Sequence, residues 1–115
     1  MMLKEFYTFI GGDYNQVFSQ LGDDDVISEF LNKFFIKDDI TELENLLKNK
    51  KYKDAFIIVH NIKGYGLNMA LTPLHEAAGE LCEVLRNGNV TADIVPLFDS
   101  LKSVYNNIKK VFFTI

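Results

Sequence analysis

The chain has 115 residues, of which 48% are apolar and 24% charged, which suits one soluble domain with a modest core. Its formal net charge of −4 argues against a nucleic-acid or anionic-membrane partner, since such partners need clustered Lys and Arg. The single cysteine rules out an internal disulfide, and the sequence has neither an apolar leader nor a stretch long enough to span a bilayer. We therefore expect a cytoplasmic monomer that does not insert into a membrane.

Two short helices are predicted at the start of the chain, near residues 2–10 and 13–21. Glycines at 11, 12 and 22 break the helical pattern, and Asp13 suits the N-cap of the second helix. Helices of this length are marginal on their own in water. We expect them to pack as a cap on one end of a larger core.

The apolar residues after position 23 recur every three or four residues, the period of an α-helix. Asp39 suits a new N-cap, with Glu42 as its capping-box partner, so the stretch to Lys48 is either one kinked helix or two helices in series. The predicted apolar stripe of its first part is Val26, Ile27, Phe30, Leu31, Phe34 and Phe35.

Three further helices follow. One runs from about residue 52 to 69, and the next starts at Thr72-Pro73, with Thr72 as its cap, and ends at Asn87-Gly88. The last starts near residue 91 or 93 and continues to about 112. Short connections make neighbouring helices antiparallel. The sequence therefore predicts an all-α single domain over 1–115, in which residues 23–113 form an up-down-up-down four-helix bundle capped by the short helices of residues 1–22.

The helix of residues 52–69 has apolar residues on two opposite faces of a helical wheel. The predicted core face holds Ala55, Ile58, Val59, Ile62, Tyr65 and Met69. His60 points the other way, and we call the surface formed by it and its helical neighbours the histidine face: His60, Phe56, Ile57, Lys63, Gly64 and Leu67.

The composition of the histidine face predicts a docking surface with a nucleophile at its centre. Exposed apolar side chains are typical of contact surfaces, and Gly64 stands in mid-helix, where glycine costs about 1 kcal/mol relative to alanine. An imidazole nitrogen is a competent nucleophile toward phosphorus, and Lys63 can reach an anion held on it. The alternative is an ordinary half-buried histidine beside a packing glycine. The combination of lysine, glycine and apolar neighbours favours the first interpretation.

The segment from His60 to Asn68, His-Asn-Ile-Lys-Gly-Tyr-Gly-Leu-Asn, resembles the motif of histidine phosphotransfer (HPt) domains: His, two residues, Lys-Gly, three residues, Asn. The similarity to stand-alone bacterial HPt domains extends over nearly the whole chain and includes residues 10–14, 30–35, 51–55 and 74–85. Two positions depart from the pattern. Ala70 stands where the family often has glycine, and Tyr65 stands where it often has a small residue, although Tyr65 is predicted to face the core.

The resemblance implies a phosphocarrier in a multistep two-component phosphorelay, without kinase or phosphatase activity of its own. A receiver-domain aspartyl phosphate would pass its phosphoryl group to His60, which becomes a phosphohistidine and passes it to a second receiver. Lys63 would offset the negative charge and Gly64 would permit close approach. The docking contacts would be Phe56, Ile57 and Leu67, with Lys53 at the rim, and the role of Asn68 is open.

The resemblance also implies the partners, which are response-regulator receiver domains and a hybrid sensor histidine kinase. No cofactor or metal is expected on this chain, because the receiver would supply Mg²⁺. Two other functions stay open: a non-phosphorylated adaptor or inhibitor that binds a receiver or kinase, and a helical metal-dependent hydrolase. His75, near Glu76 and Glu80, has too few neighbouring ligands for a metal site, so a surface histidine is expected. Cys82 is expected in the core, and the aromatic tail at 111–113 is an alternative site of self-association.

Overall fold

A computed structural model describes residues 2–88, 90–91 and 93–115, and these residues form helices and no strand. The all-α class is therefore confirmed. In chain order the helices are α1 (Leu3–Ile10), α2 (Tyr14–Leu21), α3 (Asp24–Lys37), α4 (Asp39–Lys48), α5 (Tyr52–Asn68), α6 (Thr72–Leu85) and α7 (Val95–Phe112).

The bundle is formed by α4, α5, α6 and α7, which pack in a ring in that order, with α4 also touching α7. Their inner faces meet in a core of fully buried side chains that includes Leu43, Val59, Leu74 and Leu101. Helices α5 and α6 are antiparallel, because Phe56 near the start of α5 lies beside Arg86 at the end of α6, and Gly66 near the end of α5 lies against His75 near the start of α6. The up-down-up-down order of the other helices stays a prediction.

The two short N-terminal helices pack on the end of the bundle where α5 turns into α6. The Phe6 ring contacts Phe112 of α7 edge-on, with ring centres 5.7 Å apart. The Tyr7 hydroxyl donates a hydrogen bond of 2.8 Å to the carbonyl oxygen of Met69, just after α5. Burial raises the pKa of Tyr7 well above its usual value. The predicted N-terminal cap is thus tied to the end of α5.

Gly12 brings the turn between α1 and α2 against the same end of α5. The Asp13 amide donates a hydrogen bond of 3.0 Å to the carbonyl oxygen of Ala70. A Cβ atom on Gly12 would lie 2.6 Å from that oxygen, closer than a carbon can approach, so the contact requires glycine. Asp13 caps α2 as predicted, because its carboxylate accepts a hydrogen bond from the Gln16 amide.

The break between α3 and α4 falls one residue earlier than predicted. Asp38 is the N-cap residue and has a left-handed backbone with φ of 58°, so residues 24–48 form two helices in series. The prediction of Asp39 as the N-cap with Glu42 as its partner was wrong. Asp39 is instead the first helical residue, and its buried carboxylate lies 3.6 Å from the ammonium nitrogen of Lys37.

The predicted apolar stripe of α3 was too wide. Ile27, Leu31, Phe34 and Phe35 are buried, whereas two members of the stripe, Val26 and Phe30, are exposed. Consecutive helical residues point about 100° apart, so three adjacent apolar pairs cover a wider arc than the bundle can bury.

Three other helix boundaries differ from the prediction by one or a few residues. Leu71 is the N-cap of α6, so Thr72 lies inside the helix rather than capping it. Helix α7 begins at Val95 rather than near residue 91 or 93, and the Val95 amide donates a hydrogen bond of 3.0 Å to the Asp93 carboxylate, which lies before the helix. Helix α6 ends at Leu85, two residues before the predicted Asn87-Gly88 signal. Gly88 has a left-handed backbone and closes the turn that follows, where its amide donates a hydrogen bond of 3.0 Å to the Leu85 carbonyl oxygen.

Candidate functional site

Helix α5 turns its small and branched residues toward the core and presents His60 on the opposite side. Ala55, Val59, Ile62 and Gly66 are buried at helical spacing. His60 is exposed to solvent. An imidazole in this position is accessible to another protein, which a buried histidine would not be.

The side chains around His60 form a partly apolar surface. Ile57 is 56% exposed and Leu67 is 53% exposed, which is unusual for large apolar residues. Phe56 is half-buried, and its ring lies nearly parallel to the imidazole, with centroids 5.7 Å apart and planes inclined by 12°. Lys53 is exposed two turns before His60 on the same side of the helix. The structure therefore brings the predicted site residues together on one face.

Gly64 lies one turn after His60 and Gly66 nearly two turns after it, and the two glycines have opposite environments. A Cβ atom added to Gly64 would meet no heavy atom within 4 Å in the described part of the chain beyond its own helix backbone and chain neighbours. A Cβ atom on Gly66 would lie 2.8 Å from the backbone nitrogen of His75 in α6. Gly66 is therefore the packing glycine of this helix, whereas the packing of the described chain gives no reason for glycine at 64.

Lys63 lies in the groove between α5 and α6. A Cβ atom on Gly79 would lie 3.7 Å from the Lys63 Cε atom, an ordinary van der Waals distance, so the lysine stem runs beside Gly79 of α6. The Lys63 carbonyl oxygen accepts a hydrogen bond of 3.0 Å from Nδ1 of His75. Because a carbonyl oxygen can only accept, Nδ1 of His75 carries the proton.

His75 therefore links α6 to α5 through a hydrogen bond and is not the surface histidine that was predicted. It is half-buried, and its hydrogen bond reaches the backbone next to the candidate site. Among the described residues, no group of three or more His, Cys, Asp or Glu side chains is arranged to hold a metal ion. Cys82 is fully buried in the core, as predicted, and this burial raises the pKa of its thiol.

Tyr65 does not obstruct His60, which confirms the prediction that it faces the core. Its ring stacks on Phe34 of α3, with ring centres 3.9 Å apart and planes inclined by 7°. Its hydroxyl donates a hydrogen bond of 2.9 Å to the carbonyl oxygen of Phe30. Burial raises the pKa of this hydroxyl well above its usual value.

The end of α5 accounts for one of the two departures from the HPt pattern. Ala70 has φ of 56°, a left-handed conformation that glycine adopts without strain, so the chain keeps the backbone that a glycine would take there. Asn68 is the last residue of α5 and is exposed. Its side chain forms no hydrogen bond with the residues described here, so no capping role is seen for it.

Two charged residues at the end of α6 that the sequence did not single out, Glu83 in its last turn and Arg86 as its C-cap, lie beside the histidine face. A guanidinium nitrogen of Arg86 lies 2.6 Å from a carboxylate oxygen of Glu83, and the Arg86 Cζ atom lies 5.9 Å from the centre of the Phe56 ring. The hydrogen bond from Arg86, followed by its charge, lowers the pKa of the Glu83 carboxyl. Their spacing of three along a helix predicts the ion pair, but not its position next to Phe56.

These features define a class of protein: a helical bundle that presents an accessible imidazole, flanked by a lysine and an unencumbered glycine, on the outer face of one helix. A family model for the Hpt domain matches residues 30–110, and the chain belongs to this family. Hpt domains carry phosphohistidine in the phosphorelays of two-component signalling and interact with receiver domains and histidine kinases.

No curated protein and no solved structure matches the chain. Within the described residues, no helix combines the length and the apolar character that crossing a bilayer requires.

Proposed function

We propose that this protein is a phosphocarrier in which His60 receives a phosphoryl group from the aspartyl phosphate of one receiver domain and passes it to an aspartate of another. The observation that carries the proposal is the open space at Gly64. A mid-helix glycine destabilises the helix, and packing within the described chain does not require it there. Contact with a second protein next to His60 accounts for it.

The transfer is a displacement at phosphorus. The lone pair of an imidazole nitrogen forms a P–N bond, while the P–O bond to the aspartate breaks and its electron pair leaves with the carboxylate. The other ring nitrogen keeps its proton. Delivery to the second receiver reverses these steps, with the aspartate carboxylate as the nucleophile and the imidazole as the leaving group.

The catalytic work is divided between two proteins. This chain contributes the nucleophile, the positive charge of Lys63 and a surface on which the receiver docks. The receiver contributes Mg²⁺, which neutralises the charge that develops on the transferred phosphoryl oxygens. This division is supported by the histidine face itself, on which His60, Ile57 and Leu67 are exposed to solvent and can meet a second protein.

The docking surface surrounds His60 on both sides along α5. Leu67 lies two turns after the histidine and Lys53 two turns before it, so one receiver can contact both while its aspartate reaches the imidazole. The exposed Ile57 and the half-buried Phe56 supply apolar contact between them. We propose that receivers and a hybrid histidine kinase use this face, that the protein acts as a monomer, and that the transfer takes place in the cytoplasm.

The proposal is tested by phosphoryl transfer from labelled receiver domains of the same organism to the wild-type protein and to His60→Gln. We expect an acid-labile, base-stable label on the wild type and none on the variant. Equal binding of both proteins to a receiver, with no label on either, would instead identify a non-phosphorylated adaptor.

A hydrolase would be indicated by an activity that is lost on chelation and kept in the same variant. Either result would refute the carrier.

A further inference from the structure

A groove lies between α3 and α5, on the side of His60 that faces away from α6. Its volume is about 320 Å³, and it is lined by residues of α3, by the first residue of α4 and by Asn61 and Tyr65 of α5. Sites for small molecules commonly have volumes of about 300–1,000 Å³, so this groove suits a ligand at the small end of that range. Asn61 follows His60 in the chain, so a ligand in the groove would lie beside the histidine face.

Asp39 supplies the groove with a buried hydrogen-bond acceptor that lacks a donor. Its side chain is only 7% exposed, and its Oδ1 atom accepts no hydrogen bond from the described residues. The ammonium nitrogen of Lys37 is 3.6 Å from this oxygen, which is an ion pair but too long for a hydrogen bond. Proteins rarely leave a buried carboxylate oxygen without a donor, because the lost hydration is costly. A donor on a ligand would remove that cost.

Two lysines give the groove an excess of positive charge. Lys33 and Lys37 both line it, against the single carboxylate of Asp39. The Lys37 side chain is 69% exposed, so it is free to turn away and uncover Asp39. Lys33 forms an ion pair of 2.9 Å with Glu29, and this pair is weak because both side chains are exposed. The charges therefore favour a ligand that carries an anionic group as well as a donor.

Aromatic side chains form the apolar part of the groove. Phe30 is 46% exposed, and it lines the groove together with the stacked rings of Phe34 and Tyr65. An apolar group that packs on these rings removes aromatic surface from water. The groove thus combines a buried acceptor, mobile cations and an aromatic surface.

We propose that this groove binds a small zwitterion, namely an α-amino acid with a large apolar side chain. The ligand's ammonium group donates to Oδ1 of Asp39, while Lys37 turns from Asp39 to the ligand's carboxylate. The ligand's side chain packs on Phe30. A simple cation is disfavoured by the two lysines and a simple anion by the buried carboxylate, whereas a zwitterion pairs with both. The inference concerns binding alone and does not depend on the phosphorylation of His60.

A purely structural role for these residues makes a different prediction. Asp39 and Lys37 lie on either side of the break between α3 and α4, so their ion pair can stabilise that break without any ligand. In that case replacement of either residue changes the stability of the protein, and no amino acid binds. Ligand binding therefore separates the two roles.

The experiment titrates the full chain with L-leucine and follows the backbone amide signals by NMR. Three analogues each lack one of the groups that the proposal uses. N-acetyl-L-leucine has no ammonium group, isoamylamine has no carboxylate, and L-serine has no large apolar side chain. Because the analogues are tested on the unaltered protein, this part of the experiment does not depend on the folding of a variant.

The same titration is repeated with Asp39→Asn, Lys37→Gln and Phe30→Ala. Asp25→Asn is the matched control, because Asp25 is an exposed carboxylate in the first turn of α3. Thermal unfolding of each variant reports on the fold.

We expect L-leucine to cause saturable shifts at residues 30–39, 61 and 65, with a Kd on the order of 0.1–1 mM. Each analogue should bind at least about tenfold more weakly. Asp39→Asn should weaken the binding of L-leucine at least about tenfold, and Lys37→Gln and Phe30→Ala about three- to tenfold. Asp25→Asn should leave it unchanged.

The inference is overturned if L-leucine causes no saturable shift at these residues up to about 10 mM, ten times the weakest expected Kd. It is also overturned if N-acetyl-L-leucine binds as tightly as L-leucine, or if a folded Asp39→Asn protein binds with the wild-type Kd. None of these results bears on the phosphocarrier, which the transfer to His60 tests separately.

Discussion

Replacement of Gly64 by alanine has opposite expected effects on the stability of the protein and on its function. A methyl group at this position meets no neighbour in the described chain, so it adds no strain. Alanine in the interior of a helix is about 1 kcal/mol more favourable than glycine. We therefore expect Gly64→Ala to raise the free energy of unfolding by about 1 kcal/mol, which corresponds to a rise in Tm of about 4 °C for a domain of this size.

The same methyl group lies on the surface that the receiver has to approach. It projects from the helix by about one carbon–carbon bond length, roughly 1.5 Å. A displacement of about 1 Å between reacting groups costs about 100-fold in rate, so we expect Gly64→Ala to slow phosphoryl transfer by about ten- to a hundredfold. The exposed imidazole is untouched, so phosphorylation by a small donor such as phosphoramidate should keep its wild-type rate.

The assay pairs urea unfolding with single-turnover transfer from a phosphorylated receiver. Ser103→Ala is the matched control, since it replaces an exposed residue in the interior of α7 by the same better helix former. We expect it to raise stability by about 0.5 kcal/mol and to leave transfer unchanged. A more stable Gly64→Ala protein that transfers at the wild-type rate would refute the role given to Gly64. A less stable one would show that the chain itself covers this face.

Three further predictions follow from the same structure. Gly66→Ala should lower the free energy of unfolding by about 1–3 kcal/mol, because its methyl group would lie 2.8 Å from the His75 amide nitrogen; a change below about 0.5 kcal/mol in urea unfolding would contradict the close helix contact. Leu67→Asp should weaken receiver binding at least tenfold in calorimetry and change stability by less than about 0.5 kcal/mol, whereas a large loss of stability would place Leu67 in the core. Burial raises the pKa of Tyr7, Tyr65 and Tyr105, so the folded state keeps protons that the unfolded state releases above about pH 10. The free energy of unfolding should therefore fall as the pH rises beyond that value. Tyrosinate absorbance of these three should then appear together with unfolding, and their gradual titration in the folded protein would disprove their burial.

The period of the apolar residues was sufficient to predict the helices and the orientation of α5. His60, Ile57 and Leu67 are exposed as the wheel predicted, and Tyr65 is turned toward α3. These positions depend only on the spacing of residues within a single helix, and that spacing can be read directly from the sequence.

The helix boundaries were less predictable where a residue other than glycine adopts a left-handed backbone. Asp38 and Ala70 both have positive φ values, and neither residue type predicts a left-handed turn as strongly as glycine does. The break after α3 was therefore placed at Asp39 rather than at Asp38. At Gly88, where the turn residue is glycine, the sequence predicted the turn that follows α6, although the helix itself ends earlier, at Leu85.

Contacts between helices could not be read from the sequence. The hydrogen bond from His75 to Lys63 and the approach of Arg86 to Phe56 depend on the register of α5 against α6, which no local pattern specifies. The exposure of Phe30 likewise depends on how wide a face of α3 its neighbours cover. The sequence thus identified the surface around His60 but not the α6 residues that complete it.

The N-terminal cap offsets a weakness that the candidate site introduces into α5. Two glycines in the last turns, Gly64 and Gly66, together lower the stability of the helix by about 2 kcal/mol relative to alanine. The backbone just after them is held by hydrogen bonds from outside the bundle, from the Tyr7 hydroxyl and from the Asp13 amide. These bonds keep the end of α5 in place although its own residues favour a helix poorly. A rigid helix is what phosphoryl transfer between two proteins requires, because His60 has to meet the receiver's aspartate with little positional error. The short helices α1 and α2 thereby support the site from the end of α5.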